Sequence, residues 1–253
     1  MDITSLKDQV SAEEWQLRCD LAAAYRLVAL FGWSDLVFTH ISARLPGAGH
    51  HFLINPYGLL FEEITASSLI RVDQDGNKLQ DSPFPVNPAG FTIHSAVHMA
   101  RHDAACVIHT HTRAGMAVAS LKEGLLPLNQ IALQFYGRLG THDYEGVALD
   151  LDERERIIAD LGDKSALLLR NHGLLTVGRS VAEAFQLMYY LNLACEVQIA
   201  AQSTGAELVM PSLAAREKVA RQNDRTNLDE GELQLEWAAH LRLLDKIDPS
   251  YRD

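Results

Sequence analysis

AACVIHTH, residues 104–111, is a short, continuous apolar run that ends in two histidines. It reads as a buried strand, because the segments on either side carry the other period. FTIHSAVHMARH (91–102) and RAGMAVASL (113–121) place apolar residues three and four apart, the spacing of one helix face. Helix, strand and helix in succession predict α/β layering, a sheet covered by helices. Further along, SALLLRNHGLLTVG (165–178) reads as two apolar strands joined at Asn171-His172-Gly173.

Working outward, Ser11 with Glu14 three positions later opens an amphipathic helix that runs to Gly32. VFTHISARL (37–45) and HHFLINP (50–56) predict a hairpin, and SLIRVDQDGNKLQD (68–81) predicts a second one around Asp75-Gly76. Pro83, Pro85 and Pro88 hold off regular structure until a helix begins near Ala89. Asp152 with Glu155 starts a helix that Gly162 stops, and Ser180 with Glu183 opens a long one reaching Gly205. Beyond Pro211 the composition turns charged and helix-forming, ending in the heptad-like ELQLEWAAHLRLL (232–244). We therefore divide the chain into a domain over 1–210 and a helical extension over 211–253 that packs on the domain or on a neighbouring subunit. The apolar stripe Leu233, Leu235, Trp237, Leu241 and Leu244 points to a homo-oligomer.

Composition removes several function classes. The 253 residues carry 22 Lys plus Arg against 33 Asp plus Glu, a net charge of −11, which argues against nucleic acid or an anionic membrane as partner. No window is long and apolar enough for a membrane span, and the acidic start MDITSLKDQVSAEEW does not resemble a signal peptide, so a cytoplasmic location is expected. Three widely spaced cysteines, Cys19, Cys106 and Cys195, give neither a disulfide framework nor a zinc knuckle and read as buried thiols.

Eleven histidines carry the chemistry. His109 and His111, two apart at a strand end, leave the same face and can converge on one ion. The pair alone is weak; His172, in a tight turn that Gly173 lets bend, is the natural third ligand. The alternative is three hydrogen-bonded turn and core histidines. His94, His98 and His102 form an i, i+4, i+8 stripe; we expect His94 to face the sheet and support the site, and His98 and His102 to lie at the surface or an interface. His142, in the loop His142-Asp143-Tyr144-Glu145, is either a reactive group or part of the turn chemistry. Glu62 and Glu63 read as a carboxylate pair or a solvated cap.

HFLINPYGLLFEEITASSLIRV (51–72), NPAGFTIHSAVHMAR (87–101), CVIHTHTRAGMAVASLKEGLLPL (106–128), HDYEG (142–146) and LLLRNHGLLTVGRSVAEAF (167–185) together resemble the class II aldolase/adducin family. The likeness runs from about Trp15 to Gly205 and is strongest toward the adducin head domain and its bacterial-type relatives. It implies a three-layer α/β/α fold with a central mixed, largely antiparallel sheet, often assembled as a tetramer with sites at subunit boundaries. It also implies a divalent ion, usually zinc, held by three histidines that match His109, His111 and His172. In the family's enzymes that ion polarises a substrate carbonyl and stabilises an enediolate.

The chain departs from the aldolase pattern around that centre. The acid/base carboxylate nineteen positions before the first metal histidine falls on Gly90. The phosphate-gripping motifs become Thr39-His40-Ile41-Ser42, Tyr57-Gly58 and Pro88-Ala89. A sugar phosphate is therefore not the expected substrate, and His40, Arg44, Tyr57 and Gly58 are the candidates for holding a smaller molecule. His142 is the first candidate for moving protons and Tyr136 the second. Two functions follow: a metal-dependent carbon–carbon lyase, of aldolase or decarboxylase type, acting on a small carbonyl compound; or a non-catalytic, adducin-head-like oligomeric binding module. Adducin's long basic tail has no counterpart after Gly205, so actin binding is not expected.

Overall fold

The computed structural model describes residues 3–47, 49–146, 152–224 and 230–253. Helix α1 (Ala12–Leu30) leads into strands β1 (His40–Arg44), β2 (Phe52–Ile54) and β3 (Ile70–Val72), then α2 (Pro88–Ala100), β4 (Cys106–Thr110) and α3 (Arg113–Ala119). After β5 (Leu139–His142) and α4 (Glu153–Leu161) come β6 (Ala166–Leu169), β7 (Gly173–Gly178), α5 (Val181–Ser203), α6 (Leu213–Gln222) and α7 (Glu230–Ile247). The two serine cap signals act as read: the Ser11 hydroxyl accepts the Glu14 N–H at 3.1 Å, and that of Ser180 accepts the Glu183 N–H at 3.1 Å, whereas Asp152 starts its helix without a side-chain cap.

The seven strands form one sheet in the order β3-β2-β1-β4-β7-β6-β5, antiparallel throughout except for the parallel pair β5 and β6. The sheet is mixed and largely antiparallel, with helices on both faces. Strand alternation splits the core accordingly. Along β6, Ala166 and Leu168 join the cluster built with α1, α3 and α5, while Leu167 and Leu169 join Ile93 and Val97 of α2 and Ile157 and Leu161 of α4. Val107 of β4 belongs to the α2/α4 side, so His109, two residues on, faces that side too.

Two elements differ from the sequence reading, and a third falls to one of its two alternatives. The first strand starts only at His40, because Leu36 and Thr39 take left-handed φ values of 49° and 65° that break the ladder. The second hairpin shrinks to a single bridge between Val72 and Lys78. Its turn is closed by the Asp73 carboxylate, which accepts the N–H groups of Asp75 and Asn77 at 2.9 Å each, a local alternative to a ladder. The apolar stripe of α7 serves the chain itself. Leu233, Trp237 and Leu244 are buried in the α1/α5 core, Trp237 Nε1–H donates to Asp20 at 2.8 Å, and only Leu235 of the five is largely exposed, at 72%. Two residues from Leu233 is about 200° around a helix, so the two cannot share one buried face.

One anchor sets the start of β1. The buried Tyr25 hydroxyl of α1 accepts the Ile41 N–H at 2.7 Å and donates to the side-chain oxygen of Asn55 at 2.9 Å. This fixes β1 and the exit of β2 against α1, with His40 turned to the opposite face. Cys19, Cys106 and Cys195 are buried free thiols. Among the described residues, no helix is long and apolar enough to cross a membrane.

Candidate metal centre

His109, His111 and His172 converge: one ligating atom from each lies within 4.8 Å of the others, and the three ring centroids are 4.7 to 4.8 Å apart. Local geometry explains the meeting. His109 is near the end of β4 and His111 just beyond it. His172 sits in the three-residue loop between β6 and β7, where Asn171 adopts a left-handed φ of 53° and the His172 N–H donates to the Leu169 carbonyl at 3.1 Å. Gly173 makes the approach possible: a Cβ there would lie 2.4 Å from the Thr110 carbonyl oxygen and press on the rings of both His111 and His109.

Hydrogen bonds fix the ring tautomers in a form suited to a cation. His109 Nδ1–H donates to the Leu174 carbonyl at 3.0 Å, and His111 Nδ1–H donates to the Asp35 carboxylate at 2.9 Å. In the neutral rings both Nε2 atoms then carry lone pairs, yet they stand 3.0 Å apart. Two lone pairs aimed at each other are repulsive unless a cation lies between them. The donor set, neutral imidazoles with a carboxylate behind one ring, suits a divalent transition ion, and three ligands leave a coordination position open.

Burial disfavours the protonated forms of His109 and His172. His109 is lowered well below the usual histidine range by burial and by the neighbouring histidines; burial and His111 bring His172 down to about 4. His40 and His98 are pulled to about 3, chiefly by burial. An unfolded histidine takes its proton near 6.5, so below that pH the unfolded chain binds more protons than the folded one. Stability is therefore fully present above about pH 6.5 and lost as pH falls toward 3. Each of the two buried rings, His40 and His98, removes about 1.4 kcal/mol per pH unit in that window. Melting of the metal-free protein should drop continuously from pH 6.5 to 4; an unchanged midpoint across that range would contradict the buried, neutral assignment.

The other sequence candidates separate. His40 pairs directly with His109 across β1 and β4, its ring centroid 6.2 Å away on the same sheet face. Tyr57 and Gly58 lie on the loop after β2, with Tyr57 6.2 Å from Phe38, just ahead of His40. Arg44 is four residues along β1, about 13 Å from His40. Its guanidinium donates to the carbonyls of His98 and, at 3.2 Å, Arg101 at the end of α2, so its charge is spent there. His142 is buried at the end of β5, with Nδ1 2.7 Å from the Asp160 carboxylate and Nε2 3.4 Å from that of Glu153, leaving neither nitrogen free. Tyr136 precedes β5 beside Gly137 and Arg138. These two line a 420 Å³ pocket with Asp103, Ser165 and Arg179, at the opposite ends of β4, β6 and β7 from the histidine triad.

His98, expected at the surface or an interface, is buried within the chain at 1% exposure, because α2 packs its 94/98 face on β1. Glu62 and Glu63 are exposed, and Glu63 accepts the Leu60 N–H at 2.8 Å, a cap rather than a catalytic pair. Sequence reasoning missed Asp35, which orients His111 from 76 residues away and gives no local signal, and Ser42, whose period-two spacing from His40 placed it on the same face. Tyr144 of the HDYEG loop has its ring 6.4 Å from that of His172.

Residues 19–199 match the Class II Aldolase and Adducin N-terminal domain family. An aldolase II superfamily protein from Pseudomonas syringae shares 52% identity and superposes with a TM-score of 0.93, covering 99% of this chain and 100% of the other. L-fuculose 1-phosphate aldolase from Glaciozyma antarctica shares 28% identity with a TM-score of 0.84, covering 100% of this chain and 96% of that one. Alpha-adducin of Rattus norvegicus is 50% identical over 186 residues, 72% of this chain but only 25% of the adducin.

Proposed function

The chain belongs to the class II aldolase and adducin family, and from that premise we propose that it is a divalent-metal-dependent carbon–carbon lyase, of aldolase or decarboxylase type, acting on a small unphosphorylated carbonyl compound. The observation that carries the reading is the approach of His109 Nε2 and His111 Nε2 to 3.0 Å, with His172 closing the third side. Zinc is the proposed ion, since three imidazole ligands match its preferences. When bound, it supplies Lewis-acid stabilisation of the negative charge that develops on a substrate carbonyl oxygen.

The chain's own residues do the rest. Asp35 and the Leu174 carbonyl hold two ligand rings in the binding tautomer. His40, with Tyr57 and Gly58 beyond it, forms the wall on which the substrate lies. With both nitrogens of His142 engaged and Tyr136 at the far end of the strands, Tyr144 is the side chain of this chain best placed to meet a substrate above His172. We also propose homo-oligomeric assembly, a tetramer by likeness to the family, with exposed Leu36 and Phe38 next to the His40 end as its contact.

The test is exchange of carbon-bound hydrogen. Protein reconstituted with zinc should catalyse solvent deuterium exchange at the carbon next to the carbonyl of dihydroxyacetone or glycolaldehyde, and a chelator should abolish it. Full metal occupancy with neither exchange nor cleavage across a panel of small hydroxycarbonyls would favour the second reading, an oligomeric binding module. The 50% identity to the alpha-adducin head supports that alternative.

A further inference from the structure

Helix α4 turns one polar stripe toward the loop that follows β5. Glu153, Arg156 and Asp160 are spaced i, i+3, i+7, which places them within about 60° of one another around the helix. On the stripe beside them, Ile157 and Leu161 enter the core shared with α2. All three polar residues reach the same short stretch of chain. Asp160 and Glu153 stand 2.7 and 3.4 Å from the two nitrogens of His142. Arg156 grips Glu145 in a fork, Nε donating to Oε1 at 2.7 Å and a terminal nitrogen to Oε2 at 2.5 Å. The Arg170 N–H donates to the His142 carbonyl at 2.8 Å, which ties the start of the loop to the chain that leads from β6 to His172.

The Arg156 and Glu145 side chains are 48% and 34% exposed, and an ion pair so open to water adds little to stability. A forked contact adds direction instead, because two parallel N–H···O bonds fix an angle as well as a distance. Tyr144 lies between the anchors, two residues after His142 and one before Glu145. It is 54% exposed, and its ring meets that of His172 at 6.4 Å and 68°, edge to face. Both residues line one narrow cleft with Ile93 and Arg170. Core packing does not orient a side chain that exposed; its flanks do, and α4 holds both of them.

We infer that Arg156 and Glu145 are positioning residues for the metal centre, their fork holding Tyr144 beside His172, where it meets the substrate. The inference rests on the lyase reading for the ion and the substrate, but the placement of Tyr144 by Arg156 needs neither.

The experiment is ¹⁹F NMR on the full chain carrying 3-fluorotyrosine, with the Tyr144 signal assigned by its absence from Tyr144→Phe. In the metal-free protein, Arg156→Ala should narrow that signal and move it toward free fluorotyrosine, as release of the loop requires. Arg156→Lys, a cation without the fork, should do nearly the same. Exchanging the pair, Arg156→Glu with Glu145→Arg, should recover the parent line. With cobalt(II) loaded in place of zinc, the parent Tyr144 signal should broaden more than those of the other tyrosines, and Arg156→Ala should remove much of the excess. Deuterium exchange into dihydroxyacetone should fall about 100-fold in Tyr144→Phe and about 10-fold in Arg156→Ala. In the Tyr144→Phe background, Arg156→Ala should cost nothing further, whereas a merely structural contact would cost the same in both. A metal-free Tyr144 signal indifferent to Arg156→Ala, a parent signal that bound cobalt leaves sharp, or additive losses of exchange overturn the inference. If Arg156→Ala fails to fold, Glu145→Gln cuts the fork from the other side and is read in the same way. A protein whose Tyr144 answers to Arg156 but which exchanges no hydrogen keeps the positioning role and loses the lyase reading; one that exchanges hydrogen while Tyr144 ignores Arg156 loses only the inference.

Discussion

Replacing His111 with alanine should abolish stoichiometric binding of a divalent ion, lowering zinc affinity by at least roughly 100-fold, since removing a mere supporting partner of a metal-bound histidine already costs 10- to 100-fold. Asp35→Asn, which only weakens the hold on the His111 ring, should fall within that smaller range. The metal-free variant should not be less stable than the metal-free parent, because deleting one imidazole removes the 3.0 Å lone-pair approach. The parent should gain stability on adding zinc, about 2.7 kcal/mol at 100 times its Kd, and His111→Ala should gain none. For a chain of this length each kcal/mol moves the midpoint by about 2–4 °C, so calorimetry with and without zinc, beside elemental analysis, reads both effects. A variant that retains one full equivalent of zinc would show that these three histidines are not the ligands.

The second large effect lies at Gly90. A Cβ there would fall 2.3 to 2.4 Å from Cδ2, Cγ and Nε2 of His40, closer than any real contact, and the His40 ring is buried between α2 and β1. Gly90→Ala should therefore destabilise the protein by about 1–3 kcal/mol through overpacking. In a His40→Ala background the obstruction is gone, and the same substitution should turn stabilising by about 0.5–1 kcal/mol, the ordinary gain of alanine over glycine inside a helix. Denaturant titration of the four proteins measures the coupling; an equal cost of Gly90→Ala in both backgrounds would mean that His40 moves aside freely. A corollary concerns chemistry. Gly90→Glu alone should not install a working carboxylate, because His40 already fills the space its side chain needs.

Much of the layering was legible in the chain. Apolar runs at 106–110, 166–169 and 173–178 could only be buried strands, and the three- and four-residue periods between them could only be helices, because burial of one face imposes its own period. The convergence of the three histidines was legible for the same reason: i, i+2 on a strand end forces two side chains to one face, and a turn holding His172 and Gly173 marks a place where a third can enter. Resemblance to a family added the pairing of these two motifs, which no spacing argument supplies.

What remained hidden were properties of neighbours distant in sequence. His98 looked like a surface residue because helix periodicity gives a face but not what covers it; packing of α2 on β1 buried it against Ser42. His142 looked reactive in a loop until Glu153 and Asp160, eleven and eighteen residues later, took both its nitrogens. The α7 stripe read as packing on the domain or on a neighbouring subunit, and the fold closed most of it over α1 and α5. The sequence by itself determined which faces are apolar, where the helices start and stop, and which histidines share a strand face, since those follow from short-range sterics and period. Only the tertiary structure decided which ring nitrogens are left free. That depends on the partner each nitrogen meets across the fold, and a hydrogen bond 2.7 Å long is set by the packing of whole elements rather than by any residue's position in the chain.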